Sequence, residues 1–328
     1  MKKLLFALSF ITILLISCKD DDTSPQIQVL TAGAIDHGRS VSWTNESIKD
    51  VGDAVTVIKC GFVDGSDIYL AGHIETKDGK DLKPTVWKNG TPTTLSDDGS
   101  IETIFVSQGI VYCGGYRYTH DDKNEYVTPT YWVDEDYSFI HEIQAKVTSI
   151  TVIDNKVYVL GSYYNKTFFW DNPFGGEFLE GGENFVATGS FAKNDQLHIV
   201  GNGSDGGYYW TNKQATKLEL SDKMLSSKAN AVYVDGSDVY VVGNQKKGAG
   251  DDDIVATYWK NGKPVVLSDG GEAVGLKVNN GDVYVLGYRY QSNGVLQVPA
   301  YWINGMQHAL LEINNDVPYQ AFDFSISK

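Results

Sequence analysis

The sequence predicts an all-β protein, a seven-bladed β-propeller closed by pairing of its N- and C-terminal strands. Three observations lead to this prediction: a recurring Tyr-x-x-Gly pattern, seven tryptophans with a similar spacing, and Asn-Gly pairs between short runs of β-branched and aromatic residues. The pattern, with histidine once replacing tyrosine, ends at Gly72, Gly115, Gly161, Gly201, Gly243 and Gly287, at intervals of 40 to 46 residues. Four strands in about 40 to 50 residues are typical of one propeller blade.

The unit at residues 229–268 illustrates the predicted blade. Its four strands are expected at 231–234, 239–242, 256–260 and 264–267. A turn at Asp235-Gly236 joins the first two strands, and Asn261-Gly262 joins the last two. Asn-Gly between strand-forming segments is a strong hairpin signal, because both residues accept positive φ.

The two ends of the chain determine the predicted number of blades. Six units are complete between residues 55 and 311, yet a seventh tryptophan, Trp43, precedes them. Residues 29–33 resemble a second strand without a first, and residues 321–326 resemble a first strand without a second. Joining them gives a seventh blade and one propeller domain at 28–328 without an open sheet edge. The alternative is six blades and a separate hairpin.

The N-terminus predicts export and a lipid anchor. Lys2 and Lys3 precede an apolar run of 14 residues at 4–17. This run is shorter than the about 20 residues that span a membrane, and it is typical of a signal peptide. Cys18 follows directly, which resembles a bacterial lipobox and implies cleavage after residue 17 and lipidation of Cys18. An ordinary signal peptide with an incidental cysteine is the alternative.

Residues 18–27 are predicted to form an acidic tether. Lys19, Asp20, Asp21 and Asp22 resemble the export tag of surface lipoproteins in the Bacteroidota. The resemblance implies a lipid-anchored protein on the outer membrane that faces the cell exterior. A solvated linker is the alternative reading, since charge runs are commonly solvated.

Charge and cysteine content narrow the function classes. Without residues 1–17 the chain holds 25 basic and 42 acidic residues, a net charge of −17. Such a surface repels nucleic acid, and the sequence contains no basic stripe that would bind phosphates. Cys60 and Cys113 remain after Cys18, in different repeats, and are expected to be buried free thiols, although an exported compartment permits a disulfide.

The connections between strands predict where binding occurs. Turns after the first and third strands are short and alike, whereas connections after the second and fourth strands vary in length and chemistry and lie on the opposite rim. Two Tyr-Arg-Tyr triplets are the candidate binding residues on that rim: Tyr116, Arg117 and Tyr118, and Tyr288, Arg289 and Tyr290. Tyrosine and arginine commonly anchor interfaces. Alternatively, the arginines pair with neighbouring acids and the tyrosines extend the strands.

No metal, cofactor or catalytic motif is predicted. His37, His73 and His120 fall in corresponding connections of consecutive repeats, but their differing spacing makes them weak zinc candidates. The sequence lacks a Gly-x-Ser-x-Gly elbow, a His-Glu-x-x-His helix and a phosphate-binding loop.

The repeat resembles the Trp-x-x-Gly and Tyr-Val-x-Gly propeller repeats of Bacteroidota lipoproteins over nearly all of the mature chain. The resemblance implies fold and location but supplies no functional residues. The favoured function is a non-enzymatic protein-binding or accessory subunit of an outer-membrane complex. The alternatives are a module that captures a glycan or small ligand on Tyr116, Tyr118, Tyr288 and Tyr290, and a propeller hydrolase or lyase.

Overall fold

The computed structural model describes residues 26–31, 40–44, 47–51, 56–76, 81–96, 98–120, 125–140, 145–154, 156–163, 166–172, 175–193, 195–248, 253–290, 297–309 and 321–327. These ranges form strands and turns without any helix, and therefore without a helix suited to crossing a membrane. Cys18, Lys19, Asp20, Asp21, Asp22 and His37 lie outside them.

The strands are as follows in chain order. The first three are β1 (Gln26–Thr31), β2 (Ser40–Thr44) and β3 (Ser47–Val51). Sheet 1 comprises β4 (Thr56–Asp64), β5 (Asp67–Glu75), β6 (Leu82–Lys88) and β7 (Thr91–Thr94). Sheet 2 comprises β8 (Gly99–Ser107), β9 (Ile110–His120), β10 (Glu125–Val133) and β11 (Asp136–Phe139). Sheet 3 comprises β12 (Lys146–Ile153), β13 (Lys156–Tyr163), β14 (Lys166–Asn172) and β15 (Gly175–Phe178).

Sheet 4 comprises β16 (Val186–Lys193), β17 (Gln196–Gly203), β18 (Gly206–Thr211) and β19 (Gln214–Lys217). Sheet 5 comprises β20 (Ser226–Asp235), β21 (Asp238–Lys246), β22 (Ile254–Lys260) and β23 (Lys263–Asp269). Sheet 6 comprises β24 (Gly271–Asn279), β25 (Asp282–Tyr290), β26 (Gln297–Ile303) and β27 (Met306–Ala309), and β28 (Ala321–Ser327) follows.

Each of the six sheets is an antiparallel meander whose strands pair in chain order. The predicted all-β repeat of four strands is therefore confirmed. The observed strands are longer than predicted: β20 and β21 continue their pairing as far as Ser226 opposite Lys246. The sequence predicted loops for these extensions because their residues are polar. In the structure their backbone groups nevertheless continue the sheet ladder.

The two ends of the chain pair with each other. Strand β1 is antiparallel to β28, with Gln26 opposite Ser327 and Thr31 opposite Ala321. Strand β28 also contacts β4 of sheet 1 and β24 of sheet 6. Strands β2 and β3 form a separate two-stranded sheet, although β2 contacts β1.

A β-bulge recurs in the first strand of every sheet, and the sequence did not predict it. The bulged residues are Lys59, Glu102, Thr148, Thr188, Asn230 and Val274. A bulge increases local strand twist and redirects a side chain. Thr188 Oγ1 thereby donates to the Ala229 carbonyl of the next sheet, at 2.8 Å. Asn230 Nδ2 donates to the Ala273 carbonyl in the same way, also at 2.8 Å.

The glycine of each repeat lies beside this bulge. A Cβ on Gly72 would overlap the carbonyl oxygen of Val57, and a Cβ on Gly243 would overlap that of Lys228. Both obstacles are backbone atoms held in a sheet ladder, so they cannot move aside. The repeated glycine therefore permits close strand approach rather than an unusual φ.

The short turns behave as the sequence predicts. Asn261 and Gly262 have φ values of 51° and 81°, as a type I′ hairpin requires. The Asn261 side chain accepts from the Val239 backbone N–H at 2.9 Å and donates to Asp238 at 2.8 Å. Asn89 and Asn304 repeat this arrangement in sheets 1 and 6. In these sheets the asparagine therefore links the turn after the third strand to the turn after the first strand by hydrogen bonds. Both turns lie on one rim and have a structural role.

The hydrophobic core lies between neighbouring sheets. Trp132 packs with Tyr69 of the preceding sheet, and Trp302 packs likewise with Tyr240. Trp87, Trp132, Trp259 and Trp302 are almost completely buried. Full burial of one large apolar side chain stabilises a protein by about 1.5–3 kcal/mol. These tryptophans are therefore core packing residues in sheets 1, 2, 5 and 6.

Candidate functional site

The two Tyr-Arg-Tyr triplets lie within strands, not in the connections where the sequence placed them. Tyr116, Arg117 and Tyr118 belong to β9, and the equivalent triplet from Tyr288 to Tyr290 ends β25. Alternate residues of a strand share a face. The tyrosines of each triplet accordingly meet edge to face, with ring centroids 5.4 Å apart in sheet 2 and 5.8 Å apart in sheet 6.

The first tyrosine of each triplet is held in a partly buried polar setting. Burial raises the pKa of Tyr116, and a hydrogen bond with Tyr118 adds to the effect. Burial also raises the pKa of Tyr288, and the negative charge of Glu272 acts in the same direction. Both phenols are therefore neutral hydrogen-bonding groups at physiological pH.

Arg117 lies over two exposed aromatic rings of β11, the outermost strand of sheet 2. Its guanidinium carbon is 4.4 Å from the Tyr137 ring centroid and 5.5 Å from that of Phe139. Tyr137 and Phe139 also pack edge to face at 5.3 Å, and they are 45% and 42% exposed. We call Arg117, Tyr137 and Phe139 the sheet 2 edge cluster.

Among the residues that the structure describes, the twin triplet in sheet 6 has no equivalent cluster. Tyr137 pairs with Trp132 and Phe139 with Thr130 in sheet 2. The corresponding partners in sheet 6 are Gln307, opposite Trp302, and Ala309, opposite Ala300. Neither residue offers Arg289 an aromatic ring. The sequence singled out both triplets equally, whereas the structure distinguishes them through a neighbouring strand that the sequence reasoning did not use.

A buried hydrogen-bonded chain connects sheets 1 and 2. His73 Nδ1 is 2.9 Å from Ser100 Oγ, and Ser100 donates to Glu102 at 2.8 Å. This arrangement requires the tautomer of His73 that carries its proton on Nδ1. Burial lowers the pKa of His73 to about 4, and the positive charge of Lys59 adds to this shift. Histidine, serine and carboxylate resemble a hydrolytic set, but Ser100 is completely buried and does not face a substrate.

The predicted histidine cluster is only partly described. His73 contacts Ser100 and lies 3.9 Å from Glu75 through Nε2. His37 lies outside the described residues, as does the side chain of His120. Within the part of the chain that the structure describes, no group of three or more His, Cys, Asp or Glu side chains could hold a metal ion.

Cys60 and Cys113 are free thiols in neighbouring sheets; Cys113 is buried as expected, whereas Cys60 is only half-buried. Cys113 belongs to the hydrophobic cluster between sheets 1 and 2, and Cys60 packs against that cluster. Burial raises the pKa of each thiol, and each thiol is therefore protonated at physiological pH. A protonated thiol is a poor nucleophile, so these residues are suited to packing rather than to covalent chemistry.

An open acidic cleft of about 840 Å³ lies beside sheet 4, and no motif indicated it. Glu183 and Asp205 line it together with Tyr208. Asp205 accepts from the Tyr208 hydroxyl at 2.8 Å and from Lys217 at 2.9 Å. These contacts hold the pKa of Asp205 below its usual value, so the carboxylate is already satisfied by the protein.

Comparison with known proteins establishes the fold. No family model matches the sequence, and no curated protein matches it. Pyrococcus horikoshii acylaminoacyl peptidase is 13% identical, with a TM-score of 0.54 over 88% of this chain and 52% of that chain. The β-propeller domain of the Trilobed protease from Pyrococcus furiosus is 11% identical, with a TM-score of 0.52 over 88% of this chain and 97% of that chain. The chain spans about half the length of the acylaminoacyl peptidase. These identities show the fold alone, a β-propeller.

Proposed function

From the β-propeller fold as a premise, we propose that this chain is a surface-exposed outer-membrane lipoprotein and a non-enzymatic accessory subunit of an outer-membrane complex. The propeller binds a protein partner through the sheet 2 edge cluster. The single observation that supports this function is the placement of Arg117 over the exposed rings of Tyr137 and Phe139.

The cluster has the chemistry of an interface anchor. Tyr, Trp and Arg dominate binding energy in protein interfaces, and truncation of such an anchor costs about 2 kcal/mol or more of binding free energy. The two rings hold the guanidinium in one place before binding, so less side-chain entropy is lost when a partner docks. An exposed pair of aromatic rings on an outermost strand also offers a surface that water solvates poorly.

The net charge of the chain indicates the charge that a protein partner should carry. The mature chain has a predicted net charge of −17, so its long-range field repels acidic proteins and attracts basic ones. An apolar and aromatic contact surrounded by basic residues on the partner would satisfy both the cluster and this field. Electrostatic steering would then increase the association rate, while the cluster would slow dissociation.

Location is the second part of the proposal. The apolar run at 4–17 followed directly by Cys18 supports a lipid anchor, and Lys19 with three aspartates supports display on the cell exterior. Several acyl chains on one residue make an anchor stable, because each buried CH₂ contributes about 0.8 kcal/mol.

The proposed propeller has seven blades closed by the chain termini. The antiparallel pairing of β1 with β28 supports closure, and the contacts of β28 with both β4 and β24 support a seventh unit between sheets 6 and 1. Trp43 lies in β2, as the repeat would require of a third strand. Closure would leave no open sheet edge beside the membrane.

Co-purification tests the proposed function. The full lipidated chain is isolated from gently solubilised native membranes, as wild type and as the Tyr137→Ala and Phe139→Ala variants. The control is Met306→Ala, which removes a 67% exposed apolar side chain from the outermost strand of sheet 6. We expect one stoichiometric partner with the wild type and the control, and a loss of about tenfold or more with either aromatic variant.

Two results would contradict the proposal. One is the absence of a stoichiometric partner even after cross-linking in cells. The other is a partner retained equally by all four proteins, which would place the interface elsewhere on the chain.

A further inference from the structure

The first strands of all six sheets line one cavity of about 570 Å³. Its volume lies within the range of about 300–1,000 Å³ that is typical of small-molecule sites. The cavity is remote from the sheet 2 edge cluster in the fold, because β8 is the first strand of its sheet and β11 is the last. A ligand in this cavity would therefore differ from the protein partner proposed above.

Six residues that line the cavity carry hydrogen-bonding side chains. They are Thr103, Thr148, Ser149, Thr188, Ser190 and Asn230. Ser149 Oγ and Ser190 Oγ are 2.7 Å apart and share one hydrogen bond. That bond uses one of the two hydroxyl protons, so the other hydroxyl can still donate. Thr188 and Asn230 use donors to reach the next sheet, so their oxygen lone pairs remain acceptors. The wall therefore offers both donors and acceptors.

Four aromatic rings also line the cavity. In four of the first strands an aromatic residue follows three positions after the bulged residue. These residues are Phe62, Phe105, Phe191 and Tyr233, and all four line the cavity. Phe62 and Phe105 meet edge to face at 5.3 Å, and Phe191 and Tyr233 are 5.0 Å apart. These half-buried rings come from sheets 1, 2, 4 and 5. We call them the aromatic collar.

The cavity has little charge to offer a ligand. Lys277 is the one charged side chain among the described residues that line it, and its Nζ lies 5.9 Å from the Phe62 ring centroid. A cationic ligand would have no carboxylate in this lining to pair with. Hydroxyl and amide groups beside aromatic rings instead match a neutral molecule that presents hydroxyls and an apolar C–H face.

We propose that this cavity binds a neutral saccharide of one or two rings. The apolar face of a pyranose would stack on the aromatic collar, while its hydroxyls would exchange hydrogen bonds with Ser149, Ser190, Thr188 and Asn230. This site differs from the rim tyrosines that the sequence suggested for glycan capture. Tyr116 and Tyr118 belong to β9, the second strand of sheet 2, and neither of them lines the cavity.

Saccharide binding is measured with the full lipidated chain in a detergent that has no sugar headgroup. The probes are glucose, galactose, mannose, N-acetylglucosamine, maltose and cellobiose, tested by saturation-transfer NMR and calorimetry, with toluene and phenol as apolar probes. We expect at least one saccharide to bind with a Kd below about 10 mM. Thr188→Trp, which fills the cavity, should weaken that binding about tenfold or more.

Matched variants separate the site from the fold. Thr188→Val removes the hydroxyl without filling the cavity, and we expect it to weaken binding by about two- to threefold, clearly less than Thr188→Trp. Phe191→Ala removes one collar ring and should weaken saccharide binding about fivefold or more. This variant keeps the test decisive if Thr188→Trp fails to fold. Tyr116→Ala alters the rim alone and should leave affinity within about twofold.

Three results would overturn the proposal. The first is no saccharide binding at about 50 mM, far above the expected Kd. The second is binding that persists in Thr188→Trp and Phe191→Ala but is lost in Tyr116→Ala, which would locate the site on the rim. The third is binding of toluene or phenol alone, which would assign the cavity to apolar ligands. None of these results depends on whether a protein partner binds at the sheet 2 edge cluster.

Discussion

The guanidinium carbon of Arg117 lies 4.4 Å from the centroid of the Tyr137 ring, across the width of sheet 2. Arg117 belongs to the second strand of this sheet and Tyr137 to the fourth, so the arginine reaches over β10 to the outer edge. The ring remains 45% exposed beneath it. An arginine fixed in this way serves a protein surface better than a flexible one, because its geometry exists before a partner arrives.

Arg117→Lys tests whether the planar guanidinium matters. Arg117 is half-buried and lysine keeps the positive charge, so only part of a cation–π contact worth about 0.5–2 kcal/mol is lost, and we expect the free energy of unfolding to fall by about 1 kcal/mol in urea denaturation. Partner binding should weaken about tenfold, because lysine cannot stack flat on both rings. Arg289→Lys is the matched control, since Gln307 and Ala309 stand in sheet 6 where sheet 2 has Tyr137 and Phe139, and it should leave partner affinity unchanged. Equal loss in both variants would contradict a special role for Arg117.

Gly72→Ala tests the close approach at the bulge. A Cβ at this position would overlap the Val57 carbonyl oxygen, so we expect the free energy of unfolding to fall by about 3 kcal/mol or more. Gly65→Ala is the control: Gly65 has a φ of 59° and nothing within 4 Å of an added Cβ. The Gly65→Ala variant should lose only about 1 kcal/mol of the free energy of unfolding, because backbone strain is the only penalty. Chemical denaturation measures both, and an equal loss would show that the crowding relaxes freely.

His73 predicts a pH dependence of stability. Burial holds its pKa near 4, below the usual 6.5, so the folded protein keeps this imidazole neutral. Between pH 6.5 and 4 the unfolded chain binds a proton at this residue that the folded chain does not, and the free energy of unfolding therefore falls as the pH falls. The stability advantage of the wild type over His73→Gln should shrink across this window by about 1–3 kcal/mol. An advantage that stays constant from pH 7 to 4.5 in urea denaturation would contradict the assignment.

The anchor proposal predicts two separable effects at the N-terminus. Cys18→Ala should release the protein from the outer membrane, because it removes the lipidated side chain. Replacement of Asp20, Asp21 and Asp22 by alanine should retain the anchor and the fold but leave the protein on the inner side of that membrane. Protease added to intact cells reports the location. Undiminished digestion of the triple variant would contradict the proposed export tag.

The sequence predicted the fold well where local chemistry decides structure. Positive φ at Asn261 and Gly262 follows from residue type, and the spacing of Trp132, Trp259 and Trp302 follows from one packing position per sheet. The recurrent bulge was not predicted, because Lys59, Glu102, Thr188 and Val274 share no side-chain chemistry. The bulge depends on the close approach of the neighbouring strand's backbone. In the sequence only the repeated glycine of that strand indicates this approach.

The candidate site was predicted in part. Arg117 was singled out, but its ring partners were not, because Tyr137 and Phe139 lie twenty residues or more along the chain and meet Arg117 only through strand pairing. The aromatic collar was missed for the same reason. Phe62, Phe105, Phe191 and Tyr233 fall at equivalent positions of different repeats, and only the arrangement of the first strands brings them to one cavity.

Site-specific photo-crosslinking in living cells tests the binding surface most directly. Tyr137 is replaced by photoreactive p-benzoyl-phenylalanine, and Met306 on the outermost strand of sheet 6 is replaced in a matched strain. Illumination should join one defined protein to the probe at position 137 and none to the probe at position 306. No product at position 137, or the same set of products at both positions, would contradict a partner-binding surface on the sheet 2 edge cluster.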